Sequence, residues 1–175
     1  MEFKLKKPKI IILSGKAGSG KSSVASLISK YKKCIVLSYV SYIKEVAKNV
    51  LGWDGNEKTK PREFLQQFGD VIKEIDSNFL INRVIEDIKV YSYFYDLIVI
   101  SDARFVSEIE TIKDNFENVY SINIYGRDNI LTQQQKNHIT ETALDNYSKY
   151  DYKIKNDENC EEKIKNILKE ILWVK

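Results

Sequence analysis

Apolar positions along the chain fall into two patterns. In the first they stand side by side in short runs. "KIIILSG" (Lys9 to Gly15), "CIVLS" (Cys34 to Ser38) and "DLIVIS" (Asp96 to Ser101) are of this kind, while "VYSINIY" (Val119 to Tyr125) predicts a fourth strand with polar Ser121 and Asn123 in it. Runs of that length without polar alternation predict strands covered on both faces. "DYKIKND" (Asp151 to Asp157) predicts a short fifth strand. In the second pattern apolar residues recur every three or four positions. Val24, Ala25, Leu27 and Ile28 mark a helix after Gly20. Val40, Ile43, Val46, Ala47 and Val50 mark another, closed by Gly52. Phe64, Leu65, Phe68, Val71, Ile72 and Ile75 form a stripe after Pro61, a residue suited to a first helical turn. Ser77 is the expected N-cap of a helix with Phe79, Leu80, Val84, Ile85 and Ile88 inward. "RFVSEIETIKDNF" predicts a helix after the third strand. "NCEEKIKNILKEILW" closes the chain with Ile164, Ile167, Leu168, Ile171 and Leu172 inward and a capping-box-like Asn159 and Glu162.

Buried strands alternating with helices predict an α/β domain, a parallel sheet with helices on both faces. Neither a repeat nor a linker divides residues 1–175, so one domain is expected. It carries an insertion at about 39–92 and a polar, irregular one at about 126–150.

Composition narrows the class. With 43% apolar and 30% charged residues the chain is globular. No run approaches the ~20 apolar residues that span a bilayer. The start, "MEFKLKKPKI", lacks the apolar core of a secretory signal. Cys34 and Cys160 fit neither a disulfide scaffold nor a zinc site, and the one histidine, His138, argues against a His-based metal centre. A cytoplasmic protein is expected. The net charge of +3 is too mild for a nucleic-acid surface. Partners are therefore expected to be small molecules, with neither nucleic acid nor membrane among them. The sequence leaves both a monomer and a homodimer open. Lysine is abundant but arginine stands at only four positions, Arg62, Arg83, Arg104 and Arg127. Arginine alone offers a planar fork that grips phosphate at two points.

Between the first strand and the first helix lies "GKAGSGKS", Gly15 to Ser22, which matches G-x-x-x-x-G-K-[ST] in the context that motif requires. Gly15, Gly18 and Gly20 let the backbone curl so that its N–H groups face phosphate oxygens, with Lys16, Ala17, Ser19 and Ser23 completing the cradle. Lys21 reaches the β- and γ-phosphates, and Ser22 suits Mg²⁺. Asp102, at the end of the third strand, sits where a carboxylate meets Mg²⁺ directly or through water. Its bland reading is a cap on the helix that follows.

Three classes own such a loop. A GTPase switch should carry D-x-x-G after the metal strand and N-K-x-D for guanine. Here the strand continues "DARF", and N-K-x-D is absent. A motor ATPase needs a larger core. A small-molecule kinase needs a donor loop, an acceptor pocket and a lid, and the two insertions stand where those parts belong. Arg62 and Gln66 share one face of the Phe64/Phe68 helix, and Gly69 there leaves room for a ligand. Arg83 and Arg104 complete an acceptor side, and Arg127 descends from the lid. Tyr39, Tyr42 and Gln66 are candidates to stack on or hydrogen-bond a base, whereas Phe64 and Phe68 read as core.

In order along the chain, "LSGKAGSGKSS", "SYIKEVAKNVLGW", "REFLQQFGDVIKEIDSNFLINRV", "VISDARFVSEIETIK", "HITETALDNY" and "YKIKNDENCEEKIKNIL" resemble the phage-type deoxynucleoside monophosphate kinases of the P-loop nucleoside/nucleotide kinase group. "SDARF" and "HITETALD" are the specific parts of that resemblance. It implies a three-layer P-loop kinase fold with strand order 2-3-1-4-5. It implies transfer from ATP, with Mg²⁺, to a deoxynucleoside monophosphate. It implies Lys44, Arg62, Arg83 and Arg104 around the acceptor phosphate. It implies Arg127 with the His138–Glu141 segment as lid, and places Asn156, in "KND", in what looks like the loop that borders the donor adenine. Two departures stand out: Tyr42 replaces a proline common in relatives, and the lid carries a single arginine. Animal-type phosphomevalonate kinases share the loop, an SD-x-R segment and a similar lid stretch. A regulatory module that binds nucleotide without catalysis is the alternative from another class.

Overall fold

Five strands meet in one parallel sheet, and the continuous apolar runs are the reason. The computed structural model describes residues 6–56, 58–126 and 139–173. Its elements are β1 (Lys9–Ser14), α1 (Lys21–Tyr31), β2 (Ile35–Leu37), α2 (Ser41–Leu51), α3 (Arg62–Ile75), α4 (Phe79–Tyr91), β3 (Leu97–Ala103), α5 (Val106–Asn115), β4 (Val119–Tyr125), α6 (Ile139–Thr142), β5 (Tyr152–Lys155) and α7 (Cys160–Trp173). The strand order is β2-β3-β1-β4-β5, and all four pairings are parallel.

Successive residues of a strand point to opposite faces, so each run feeds two cores. Ile11, Leu13, Ile122 and Ile124 pack under α1 and α7, against Val24, Ile28, Ile164 and Leu168. Ile10, Ile12, Ile98 and Ile100 pack on the other face, under α4 and α5, against Val84, Ile88, Ile109 and Ile112. Parallel strands bring their C-terminal ends to one edge. There the loop after β1, the end of β3 and the segment after residue 138 come together.

The insertion between β2 and β3 forms three helices. α2 ends at Gly52, whose φ of 67° gives the left-handed turn expected of it. α3 differs from expectation. Its apolar stripe exists, yet none of its residues is fully buried, and Ile75 is 82% exposed. Phe64 and Phe68 stack on each other, ring centroids 5.6 Å apart, and are half-buried rather than core. Gly69 faces α2: a Cβ there would meet Ile43 Cδ1 at 3.4 Å. That is ordinary contact distance, so the space beside α2 would accept a Cβ. Ser77 is not the N-cap of α4. Asn78 takes that position, held by its N–H to Asp76 Oδ1 at 2.9 Å.

Candidate active site

The loop after β1 is built as its sequence demands. Gly15 has φ 139°, and a Cβ on it would lie 2.2 Å from the carbonyl oxygen of Ile124. Only glycine lets the chain turn that close to β4. Gly18 and Gly20 also have positive φ, 77° and 94°. α1 begins at Lys21, so its free N–H groups and positive dipole end face the loop's mouth. Ser22 and Ser23 are exposed there. Ser19 is 3% exposed, and its carbonyl accepts the Asn156 side-chain amide at 2.7 Å. Asn156 thus ties the end of β5 to the loop.

Lys21 is folded back over the loop. Its Nζ donates to the carbonyls of Gly15 (2.7 Å) and Lys16 (2.9 Å). Burial, then the neighbouring Arg104 guanidinium, pushes its ammonium down to about 7, with Lys60 adding to the fall. Glu141 and Asp102 act in the opposite sense. These charges therefore share one small region with Lys21, and Lys60 is a member that sequence reasoning missed.

Asp102 performs a capping role, at a different turn from the one expected. Its Oδ1 accepts the N–H of Tyr39 (2.9 Å), and its Oδ2 accepts Ser38 Oγ (2.7 Å) and the N–H of Val40 (3.3 Å). It fastens the β2–α2 turn to the end of β3. The helix that follows β3, α5, is capped instead by Glu108, whose Oε2 accepts the N–H groups of Arg104 (2.6 Å) and Phe105 (3.1 Å). Burial pushes the Glu108 carboxyl up to about 7, with Asp102 raising it further against those hydrogen bonds and Lys73. Glu108 fixes the backbone from which Arg104 projects. Phe105 stands where a capping box carries Ser or Thr, which hid the signal in the sequence.

Arg104 and Glu141 meet across the site. Arg104 Nη1 lies 2.7 Å from Glu141 Oε1, and Glu141 Oε2 accepts the Ala17 N–H at 2.7 Å. Glu141 is 8% exposed. Lys16 Nζ reaches Asp145, 2.8 Å away, so the 139–150 segment grips the loop at two points. Sequence reasoning gave Asp145 no role. Between this segment, the loop and β4 lies a cavity of ≈ 290 Å³, walled in part by Arg104, Asn123, Tyr125, Tyr147 and Lys153.

The remaining expected residues are less concentrated. Tyr39 is 2% exposed and donates its hydroxyl to the Glu108 carbonyl at 2.6 Å, so it is a core residue with no face for a base. Tyr42 is exposed and packs edge-on against Phe79. Lys44 and Gln66 are half-buried on α2 and α3, and Arg62 is exposed at the start of α3. Arg83 lies on the exposed side of α4, 3.7 Å from Asp87. Arg127 and His138 fall outside the described residues.

Among the described residues, no cluster of three or more His, Cys, Asp or Glu could hold a metal alone. Mg²⁺ takes few protein ligands and completes its shell with water and phosphate oxygens. The exposed Ser22 hydroxyl fits that role directly. Asp102, both oxygens already engaged, fits it through water. No helix among the described residues is long and apolar enough to cross a membrane.

No protein-family model and no curated protein sequence matches the chain. Solved structures do match in fold. A sugar kinase from Janibacter sp. is 10% identical, with TM-score 0.56 over 92% of each chain. A shikimate kinase from Bacteroides thetaiotaomicron is 16% identical, with TM-score 0.52 over 94% of this chain and 98% of that one. The Mycobacterium tuberculosis APS kinase CysC, in complex with AMPPNP and APS, is 13% identical, with TM-score 0.52 over 95% and 98%. The fold is that of the small-molecule P-loop kinases, in the strand order that the resemblance implies.

Proposed function

We propose that the chain is a kinase that transfers the terminal phosphoryl group of ATP to the phosphate of a nucleoside monophosphate, with deoxynucleotides preferred. The observation that carries the kinase reading is the convergence at one strand edge of Lys21, Arg104 and Asp102. Each is held by hydrogen bonds of its own or of its backbone. Neighbours in this fold bind AMPPNP with APS, or shikimate, so the architecture serves donor and anionic acceptor together.

In this reading the N–H groups of residues 15–22 cradle the donor phosphates, and Lys21 balances charge at the β- and γ-positions. Mg²⁺, held at Ser22 and through water at Asp102, would neutralise charge on the β- and γ-oxygens. Asp102 also fixes the β2–α2 turn that leads into the acceptor insertion. Arg104 meets the charge that develops on the moving phosphoryl group, as a rigid fork presented from a backbone that Glu108 locks. An acceptor phosphate is already anionic at neutral pH, so its oxygen attacks without a general base. Lys44 and Arg62 supply positive charge for that phosphate. Tyr42 and Gln66 are offered to the base. Asn156 borders the adenine, and Arg127, His138 and Glu141 belong to the lid over 126–150. The choice of a nucleotide, and of its deoxy form, rests on the resemblance of "SDARF" and "HITETALD".

The test is to measure kcat/KM for each deoxynucleoside monophosphate, its ribose partner and 5-phosphomevalonate under saturating MgATP. A deoxynucleotide should be the best acceptor. If phosphomevalonate leads, the acceptor assignment is wrong. If no acceptor is phosphorylated while nucleotide binds, the chain is a binding module.

A further inference from the structure

Glu141 is a buried carboxylate whose two oxygens are each spoken for by a phosphate-binding group. One partner is the N–H of Ala17, in the loop, at 2.7 Å. The other is the guanidinium of Arg104, also at 2.7 Å. Neither donor belongs to α6, the short element that carries Glu141. The peptide between Lys16 and Ala17 locates the spot. Its C=O accepts Lys21 Nζ at 2.9 Å, while its N–H donates to Glu141. A trans peptide points its C=O and N–H to opposite sides, so the carboxylate stands across this peptide from the Lys21 ammonium, and against the arginine at the end of β3. An anion held by a loop N–H and one arm of the Arg104 guanidinium, within the charge field of the loop lysine, engages groups that a terminal phosphoryl group would also use.

We infer that Glu141 competes with the terminal phosphoryl group for the Ala17 N–H and the Arg104 guanidinium, and so sets the preference between nucleoside triphosphate and diphosphate. This rests on the reading of the loop as a nucleotide site. Two anions cannot share the Ala17 N–H and one guanidinium edge in a site this buried. A triphosphate must expel Glu141, and doing so transfers the Arg104 fork from carboxylate to phosphate. A diphosphate stops at the β-position and leaves Glu141 in place. The wild-type protein thus binds triphosphate less tightly, relative to diphosphate, than its loop alone would allow. The same exchange keeps Arg104 engaged until a phosphoryl group arrives to claim it.

The experiment is calorimetric titration of the full chain, with Mg²⁺, by ADP and by the non-hydrolysable β,γ-imido analogue of ATP. Wild type, Glu141→Gln and Glu141→Asp are compared. Gln keeps the shape and removes the charge. The analogue-over-ADP affinity ratio should rise about tenfold in Glu141→Gln, the scale of one charge-assisted contact. ADP affinity itself should move less than about twofold, well below the effect of one such contact. Glu141→Asp keeps the charge but is one methylene shorter and cannot hold both partners, so its ratio should rise by a smaller factor. It also serves if the Gln variant is too unstable to titrate. A merely structural role would move both nucleotides together. An unchanged ratio, or a selective loss of analogue binding, overturns the inference. If neither nucleotide binds any of the three proteins, the nucleotide site itself is refuted and the inference with it. If nucleotides bind and the ratio rises but no acceptor is phosphorylated, the proposed kinase activity fails while this inference stands.

Discussion

Nucleotide binding should take up a proton on Lys21. Burial and the Arg104 guanidinium push the lysine down from 10.5 to about 7 in the free protein. At pH 8 its side chain is then ~90% neutral. The two carbonyls it holds, those of Gly15 and Lys16, require only two N–H donors, which a neutral amine still provides. A bound polyphosphate stabilises the ammonium and raises its pKa toward the ordinary value. The bound state therefore holds more protons than the free state from about pH 7 upward, and affinity is lost as pH rises through that range. Each unit above pH 7 should weaken MgADP binding roughly tenfold, about 1.4 kcal/mol. At pH 8, binding should take up ~0.9 proton. Titration calorimetry at pH 8, in two buffers of different ionisation enthalpy, reads the uptake directly. Lys21→Met should abolish it. Glu108→Gln should keep it, which separates the lysine from the other group displaced to about 7. Zero uptake with affinity flat from pH 7.5 to 9 refutes the reasoning.

Arg104→Lys should be nearly as harmful as Arg104→Ala, losing ~2–4 kcal/mol in the chemical step, because the fork and not the charge is removed. Single-turnover kinetics with wild-type-like activity in the Lys variant would show that a point charge suffices. Tyr39→Phe deletes the hydrogen bond to the Glu108 carbonyl and should cost ~1 kcal/mol of unfolding free energy. Its acceptor discrimination should be unchanged. A collapse of that discrimination at normal stability would return the ring to the substrate.

The centre of the sheet was legible because β1 and the first part of β3 are apolar at successive positions, as strands covered on both faces are, whereas β4 and β5 carry polar residues between their apolar ones. The donor loop was legible because its conformation is written in three glycines. The acceptor side was harder. The α3 stripe was visible, but periodicity reports which face is apolar and not what covers it. Phe64 and Phe68 accordingly proved half-covered, stacked on each other. Tyr39 stands among serines and Tyr42 in the sequence, yet its ring is buried and its hydroxyl finds a carbonyl 69 residues away. Arg83 had a partner one helical turn on, Asp87, that its spacing already offered. Glu141 belonged to a quoted motif, but the contact that defines it spans 124 residues to Ala17, and no local pattern encodes that.

The central claim is that this loop donates a phosphoryl group rather than merely binding or hydrolysing nucleotide. ATP labelled with ¹⁸O on its terminal phosphoryl group, incubated with the protein, Mg²⁺ and a deoxynucleoside monophosphate pool, decides it by mass spectrometry. The account predicts the three labelled oxygens together in the β-phosphoryl group of a deoxynucleoside diphosphate. Label found only in inorganic phosphate, or retained in ATP, contradicts it.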